Sequence, residues 1–273
     1  MAIYHFSAKV FSRGKGQSSI AACAYRTAAK LYDARTGETH DYRKKKGVLA
    51  SFISLPKGAP KWALNSERLW NEAEKSERRK NSTVAREIEI SLPFELNKTE
   101  QTDLALKLAN EVSQKHSVAV NTAIHIPHKS NDSRNTHAHL LFTTRRLSTE
   151  KFTTKTREWD DIVKGKETVK YWRNRWEELV NQALLEAGHN SQVDSRSYKD
   201  KKSVIEPTQH MGPIATGLER KGYKTRIGEK NRVITEQNRI RIQRQRISKK
   251  YDLQPPALKT NELQHRREPN LKP

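Results

Sequence analysis

A chain of 273 residues with 34% hydrophobic content has room for one substantial domain plus an extension, but is too polar to be packed throughout. No apolar run approaches the roughly 20 residues that span a bilayer, the N-terminus lacks the basic-then-apolar pattern of a signal peptide, and a single cysteine, Cys23, excludes an intramolecular disulfide framework. The net charge of +22 calls for a polyanionic partner, nucleic acid first and an acidic membrane surface second, with the cytoplasm as the default compartment.

Residues 2–10 alternate as a strand. Ser12-Arg-Gly-Lys-Gly16 follows as a basic loop, and no Gly-Lys-Ser/Thr ends it as a phosphate-binding P-loop requires. Arg13 and Lys15 in this loop, with Arg26 and Arg145 further on, are candidate contacts to a DNA backbone. The alanine-rich stretch from Ile20 to Ala34 predicts a helix capped by Ser18 or Ser19. Tyr25 there shares a face with Ala21, Ala28, Ala29 and Tyr32. Periodicity alone favours both tyrosines as core aromatics, although the small residues around Tyr25 leave room for a substrate.

Residues 35–60 read as loops with short strands around Val48 to Leu55, and Trp62 to Lys80 as a charged helix burying Trp62, Leu69 and Ala73. In the strand Val84 to Leu92, Val84, Ile88, Ile90 and Leu92 share one face and Glu87, Glu89 and Ser91 the other. Carboxylates on a strand are usually solvated; beside a histidine cluster they are candidates to orient an imidazole or act as a general base. A helix from Thr99 to about Gln114 follows.

Two further strands, about Val118 to Ile126 and His137 to Arg145, are joined by a loop rich in turn formers, including Pro127, Asn131, Asp132 and Asn135. His137 and His139 lie two residues apart and project from one face, and antiparallel pairing lets His125 join them. Ordinary polar residues on a half-exposed strand are the alternative, but an H-x-H pair with a third histidine one strand away favours a metal site with open positions. His128 in the loop reads as a surface residue or a substitute ligand. The order β-α-(loops)-α-β-α-β-β predicts an α+β fold, an antiparallel sheet covered by helices. A helix from Glu167 to Ala187 carries Trp172, Trp176, Leu179 and Val180 on one stripe and stops at Gly188.

Beyond Gly188, Val193–Lys199 and Glu206–Pro213 read as ordered loops. Residues 219–250 hold twelve Lys and Arg against three Glu, the pattern of a solvated, partly disordered arm that can also track phosphates. The proline-containing, polar residues 251–273 are expected to be disordered.

Tyrosine, with a hydroxyl pKa near 10, attacks a phosphodiester only when a cation and a base help it lose its proton. A histidine-bound divalent metal supplies that cation, and a phosphotyrosine intermediate keeps the bond energy for rejoining. Several stretches together resemble the MobA/MobL (MOBQ) plasmid relaxases: Ala2-Ile-Tyr-His-Phe-Ser-Ala-Lys9, Gly16-Gln-Ser18, Ala24-Tyr-Arg26, Ala85-Arg-Glu-Ile-Glu-Ile90, Leu92-Pro93, Ala123-Ile-His125, Asn135-Thr-His-Ala-His139, Trp172-Arg-Asn-Arg-Trp-Glu177, Val193-Asp-Ser-Arg-Ser197 and Glu206-Pro-Thr-Gln-His210.

The resemblance implies an HUH-type nuclease fold over residues 1–222, with 223–273 as a basic, partly disordered extension. It implies Tyr25 as nucleophile, His125, His137 and His139 as ligands of Mg2+ or Mn2+, and Glu87 as the acidic residue beside them, with Glu89 as a lesser candidate. Tyr32 is read as packing or DNA-contacting. The implied activity nicks one strand at a plasmid transfer origin through a 5′-phosphotyrosine, and later rejoins it, in the bacterial cytoplasm. Single-stranded and hairpin DNA, relaxosome accessory proteins and a type IV secretion coupling protein are the implied partners. Without the long helicase or primase extension of some relatives, the chain reads as a minimal relaxase or the nicking part of a larger product. Two alternatives stand beside this reading: a module that binds a DNA hairpin without cutting, and a metal-dependent phosphodiesterase using water.

Overall fold

A computed structural model of the chain describes residues 4–127 and 134–250. His128 and residues 251–273 lie outside the described residues. The chain divides into two compact units, Met1–Ser195 and Arg196–Pro273.

The first unit runs β1 (Phe6–Ser12), α1 (Ser19–Thr27), β2 (Lys30–Asp33), β3 (Glu38–Asp41), β4 (Val48–Ser54), α2 (Ser66–Lys75), β5 (Thr83–Ser91), α3 (Lys98–His116), β6 (Val120–His125), β7 (His137–Thr143), β8 (Arg145–Leu147), β9 (Phe152–Lys155) and α4 (Ile162–Glu186). Five strands form one sheet in the order β1-β5-β7-β6-β4, and each adjacent pair is antiparallel. The expected α+β class, a central antiparallel sheet flanked by helices, holds.

Strand alternation sends each strand's residues to two faces. Ile88, Ile90, Ile124, Ala138, Leu140 and Phe142 turn to one side and bury against α3 and α4, where Leu108, Val112, Trp172 and Trp176 meet them. Ala85 and Leu141 turn to the other side and pack with Ile20, Cys23 and Ala24 of α1 and Leu69 and Trp70 of α2. On this second face β7 changes character along its length. Leu141 lies in the apolar cluster, while His139 and His137 continue the same face toward the start of the strand.

Several predicted boundaries move, each for a local reason. The helix expected over Ile20–Ala34 ends at Thr27, because Ala28 takes a left-handed conformation (φ 53°) and its N–H bonds the Ala24 carbonyl. The chain then turns into the β2–β3 hairpin, in which Tyr32 pairs with Thr39, so Tyr32 is a strand residue and not part of the Tyr25 helix. Asp33 fixes that turn: its Oδ1 accepts the Arg35 N–H at 3.0 Å and its Oδ2 the Ser18 hydroxyl at 2.7 Å. The helix expected from Trp62 begins at Ser66, where Asn65 caps it by accepting the Arg68 N–H at 2.9 Å. That start brings Trp70, not Trp62, fully into the core. Asp161 starts α4 earlier than expected by accepting the Val163 and Lys164 N–H groups, and Gly188 follows its end at φ 78°.

In the second unit, two helices form over the described part of the basic arm. Gly212–Arg220 forms α5 and Arg226–Lys250 forms α6. Asn231 and Asn238, two turns apart on α6, each bond a backbone segment through both amide atoms. Asn238 takes the N–H and C=O of Glu206 at 2.9 and 2.8 Å, and Asn231 those of Gln209, both at 2.8 Å. Arg232 also bonds Glu219 of α5 at 2.8 Å.

Candidate active site

The sheet register assembles the histidines. His125 on β6 stands opposite His137 on β7, and His139, two residues on, stands opposite Glu89 on β5. The ring centroids lie 5.4 Å (His125–His137), 4.8 Å (His125–His139) and 5.2 Å (His137–His139) apart. One nitrogen from each ring falls within 4.8 Å of the others.

Each ring is fixed by a partner that can only accept. His125 Nε2 lies 2.6 Å from the Arg26 carbonyl oxygen, His137 Nδ1 3.0 Å from the Asn135 carbonyl oxygen, and His139 Nδ1 2.8 Å from Glu87 Oε1. A carbonyl or an ionised carboxylate has no proton to give, so the ring nitrogen facing it carries the hydrogen. The opposite nitrogen of each ring keeps its lone pair: Nδ1 of His125 and Nε2 of His137 and His139. Burial pushes the His125 pKa down to about 4 and also lowers that of His137, and nearby positive charge adds to the effect. Imidazoles that can each offer one nitrogen, their other nitrogens held from behind, are the donor set a divalent transition metal takes.

Glu87 stands behind His139. It is fully buried, and the Arg26 guanidinium pairs with it, Nε on Oε1 and Nη2 on Oε2 at 2.9 Å. Burial alone would raise its pKa, but the hydrogen bonds from Arg26 and His139 outweigh it and hold the carboxyl at about 2. An ionised carboxylate with both oxygens engaged is placed to orient His139, one of the two roles the sequence leaves open to a carboxylate beside the histidines. Glu89 shares the face, pairs with Lys9 and lies 4.0 Å from His139 Nδ1.

Tyr25 sits in the last turn of α1 and is 49% exposed, against the core placement that periodicity favours. The next residue is Arg26, whose carbonyl holds His125 and whose side chain holds Glu87. The phenol is therefore mounted one residue from the backbone that supports the imidazole cluster.

Of the four basic residues expected to touch DNA, three turn inward. Arg13 bonds Glu74 Oε2 and the Glu77 carbonyl, each at 2.8 Å, and Arg26 bonds Glu87. Arg145 bonds Glu77 Oε1 at 2.9 Å and the Thr153 carbonyl at 2.8 Å. Lys15 is exposed. The sequence reading passed over Tyr42 and Lys45. Tyr42 meets the Tyr25 ring edge-on at 5.3 Å, and the Lys45 ammonium lies over its face at 3.8 Å. The run Arg43-Lys-Lys-Lys46 gives no sign that one of its lysines turns toward the site.

A family model for MobA/MobL matches residues 17–221. The chain belongs to the MobA/MobL family. Relatives agree with that membership. Mobilization protein MobL of Acidithiobacillus ferridurans is 36% identical over 85% of this chain and 66% of its own length. Conjugal transfer protein TraA of Rhizobium radiobacter is 34% identical over 91% of this chain and 24% of its own length. The chain thus spans just under two thirds of one relative and about a quarter of the other. A solved structure described as "Molecular Basis of Vancomycin Resistance Transfer in Staphylococcus aureus" shares 35% identity and a TM-score of 0.64, over 72% of this chain and all of that one. The match from residue 17 to 221 includes α1, Glu87 and the three histidines, so every residue of the imidazole site lies inside the MobA/MobL region.

Proposed function

We propose that the chain is a relaxase that nicks one strand of DNA at a plasmid transfer origin by tyrosine transesterification. The observation that carries the reading is the half-exposed Tyr25 phenol mounted one residue from the carbonyl that fixes His125. Tyr25 Oη attacks the scissile phosphorus. A bond forms from Oη to phosphorus and the bond from phosphorus to the 3′ oxygen breaks. The phenol gives up its proton, and the departing 3′ oxygen takes one up. The 5′ phosphate stays joined to Tyr25, and the reverse attack by a 3′ hydroxyl rejoins the strand.

His125, His137 and His139 would hold a divalent metal through the three lone-pair nitrogens, and their nitrogen donors suit Mn2+ better than Mg2+, which prefers oxygen. Bound there, such an ion would supply a positive charge to polarise the phosphoryl oxygens and offset their growing negative charge. Glu87 and the Arg26 carbonyl keep the rings turned for that role. Lys15 and the net charge of +22 favour the phosphate backbone. On this reading the partners are single-stranded and hairpin origin DNA, relaxosome accessory proteins and a type IV coupling protein, in the bacterial cytoplasm.

The test is incubation of labelled single-stranded DNA from candidate origin regions with Mn2+ or Mg2+, followed by mass spectrometry. A 5′-phosphotyrosyl adduct at Tyr25 that disappears in Tyr25→Phe is the expected result. Nicking without an adduct would point to water as the nucleophile, and binding without nicking to a hairpin-holding module; either overturns the proposal.

A further inference from the structure

The turn from Tyr42 to Lys45 has no part in the chemistry above, yet it touches Tyr25 at three points. The Tyr42 ring meets the Tyr25 ring at 89° with centroids 5.3 Å apart. The Lys45 ammonium lies 3.8 Å from the Tyr25 ring centroid. The same ammonium donates to the Tyr25 carbonyl oxygen at 2.9 Å. The turn is itself anchored: Lys45 N–H bonds the Tyr42 carbonyl at 2.8 Å, and Tyr42 N–H bonds the Ala29 carbonyl, just beyond α1, at 3.0 Å.

We propose that Lys45 is a positioning residue for the transfer reaction: it clamps the Tyr25 ring at the edge of the imidazole cluster, with Tyr42 as the second contact. The inference rests on the reading of Tyr25 as the nucleophile. A phenol on the surface of a helix's last turn is otherwise free to change rotamer, and an in-line attack is lost when the oxygen strays. Lys45 opposes this in two ways at once. Its charge is attracted to the ring face, and its hydrogen bond to the carbonyl of the same residue keeps that charge from drifting away. Just beyond Lys45 the chain joins the sheet beside the histidines: the Gly47 carbonyl accepts the Ile126 N–H at 2.9 Å and Val48 stands opposite His125. The turn is therefore tied to the imidazole end of the sheet, not to a remote surface. A cation held there serves the ring and remains compatible with the negatively charged strand that must enter.

The test compares Lys45→Met, which keeps the stem and removes the charge, with Lys45→Arg, which restores a cation, and with Lys45→Gln as a second neutral variant. Protein labelled with 3-fluorotyrosine gives a fluorine resonance for Tyr25, assigned by its loss in Tyr25→Phe. The clamp predicts that this line shifts and broadens in Lys45→Met and Lys45→Gln, and returns toward the wild-type position in Lys45→Arg. With a single-stranded origin oligonucleotide that wild-type protein converts to adduct, the neutral variants should form adduct about 10- to 100-fold more slowly. Their Mn2+ affinity and their Michaelis constant for the DNA should stay near wild type. An unmoved fluorine line, or wild-type adduct rates in both neutral variants, overturns the clamp. Loss of Mn2+ affinity in parallel with rate also overturns it, because Lys45 would then be holding the fold. Wild-type protein that forms no adduct with any origin DNA overturns the relaxase reading instead, and the fluorine line still decides whether Lys45 holds Tyr25.

Discussion

The carbonyl oxygen of Arg26 lies 2.6 Å from Nε2 of His125, while the guanidinium of the same residue grips Glu87, which in turn holds His139. One residue in the last turn of α1 thereby fixes two of the three imidazoles, one through its backbone and one through its side chain. Glu87→Gln tests the side-chain arm. The amide keeps the shape of the carboxylate but loses the charge that binds Arg26 and polarises His139. Mn2+ affinity should fall roughly 10- to 100-fold, measured by electron paramagnetic resonance titration. An unchanged affinity would remove Glu87 from the support of the site.

His137→Ala removes one of the three donors while leaving the sheet register and the basic surface in place. Nicking should be lost, and chelation of the wild-type protein with EDTA should have the same effect, restored by added Mn2+. DNA affinity should stay within about twofold, since backbone contacts carry most of it. A gel-shift assay beside a nicking assay reads both, and equal loss of binding and cleavage would count against the imidazoles as a metal site.

The parts of this site that the sequence displays are those governed by a short, rigid period. Two residues apart on a strand always means the same face, so His137 and His139 were bound to meet whatever surrounded them. His125 needed only the antiparallel hairpin, and the observed pairing with His137 supplies it. The end of α1 could not be read, because it is made by Ala28 in a left-handed conformation that alanine rarely adopts, with no glycine or proline to announce it. Tyr32 was placed on the wrong element for that reason. The basic C-terminal stretch reads as solvated on charge alone, and most of its described residues are exposed. Arg, Lys and Gln are also good helix formers, and the docking of residues 206 and 209 on Asn231 and Asn238 is a contact between distant positions that no local pattern reveals. The inward turn of Arg13 and Arg145 escaped notice for a similar cause, since their carboxylate partners Glu74 and Glu77 lie more than sixty residues away in sequence.

With a net charge of +22 and Lys15 turned outward, DNA binding should depend steeply on salt. Each phosphate neutralised releases condensed counterions, giving a slope in log affinity against log salt of about −0.7 per contact for single strands. Five or six contacts would cost roughly 100- to 300-fold in affinity between about 50 and 200 mM salt. Fluorescence anisotropy with a labelled single strand measures the slope. Lys15→Gln should make it shallower by about one contact's share. A flat response would exclude an interface built mainly on the phosphate backbone.

His116 lies under α4 and gives the fold a pH dependence separate from the imidazole cluster. Its Nε2 accepts the Trp172 indole N–H at 3.0 Å, which leaves the hydrogen on Nδ1, donated to Glu158 Oε1 at 2.9 Å. A proton added at Nε2 would face the indole hydrogen and break that bond. Burial holds the His116 pKa below its ordinary 6.5, outweighing the opposing pull of Glu158. The unfolded chain therefore takes up a proton, on falling through that ordinary value, that the native chain resists. The contribution to stability is fully present above pH 6.5 and is lost progressively below it, toward the lower native pKa. Urea unfolding of wild type and His116→Gln at about pH 7.5 and about pH 5.5 isolates this group, because the variant cannot titrate there. Wild type should lose more stability than the variant across that interval. At the upper pH the variant should be the weaker of the two by about 1–3 kcal/mol, the usual result of disturbing a buried hydrogen-bond pair. Parallel losses in the two proteins would show that His116 titrates in the native state as it does in the unfolded one.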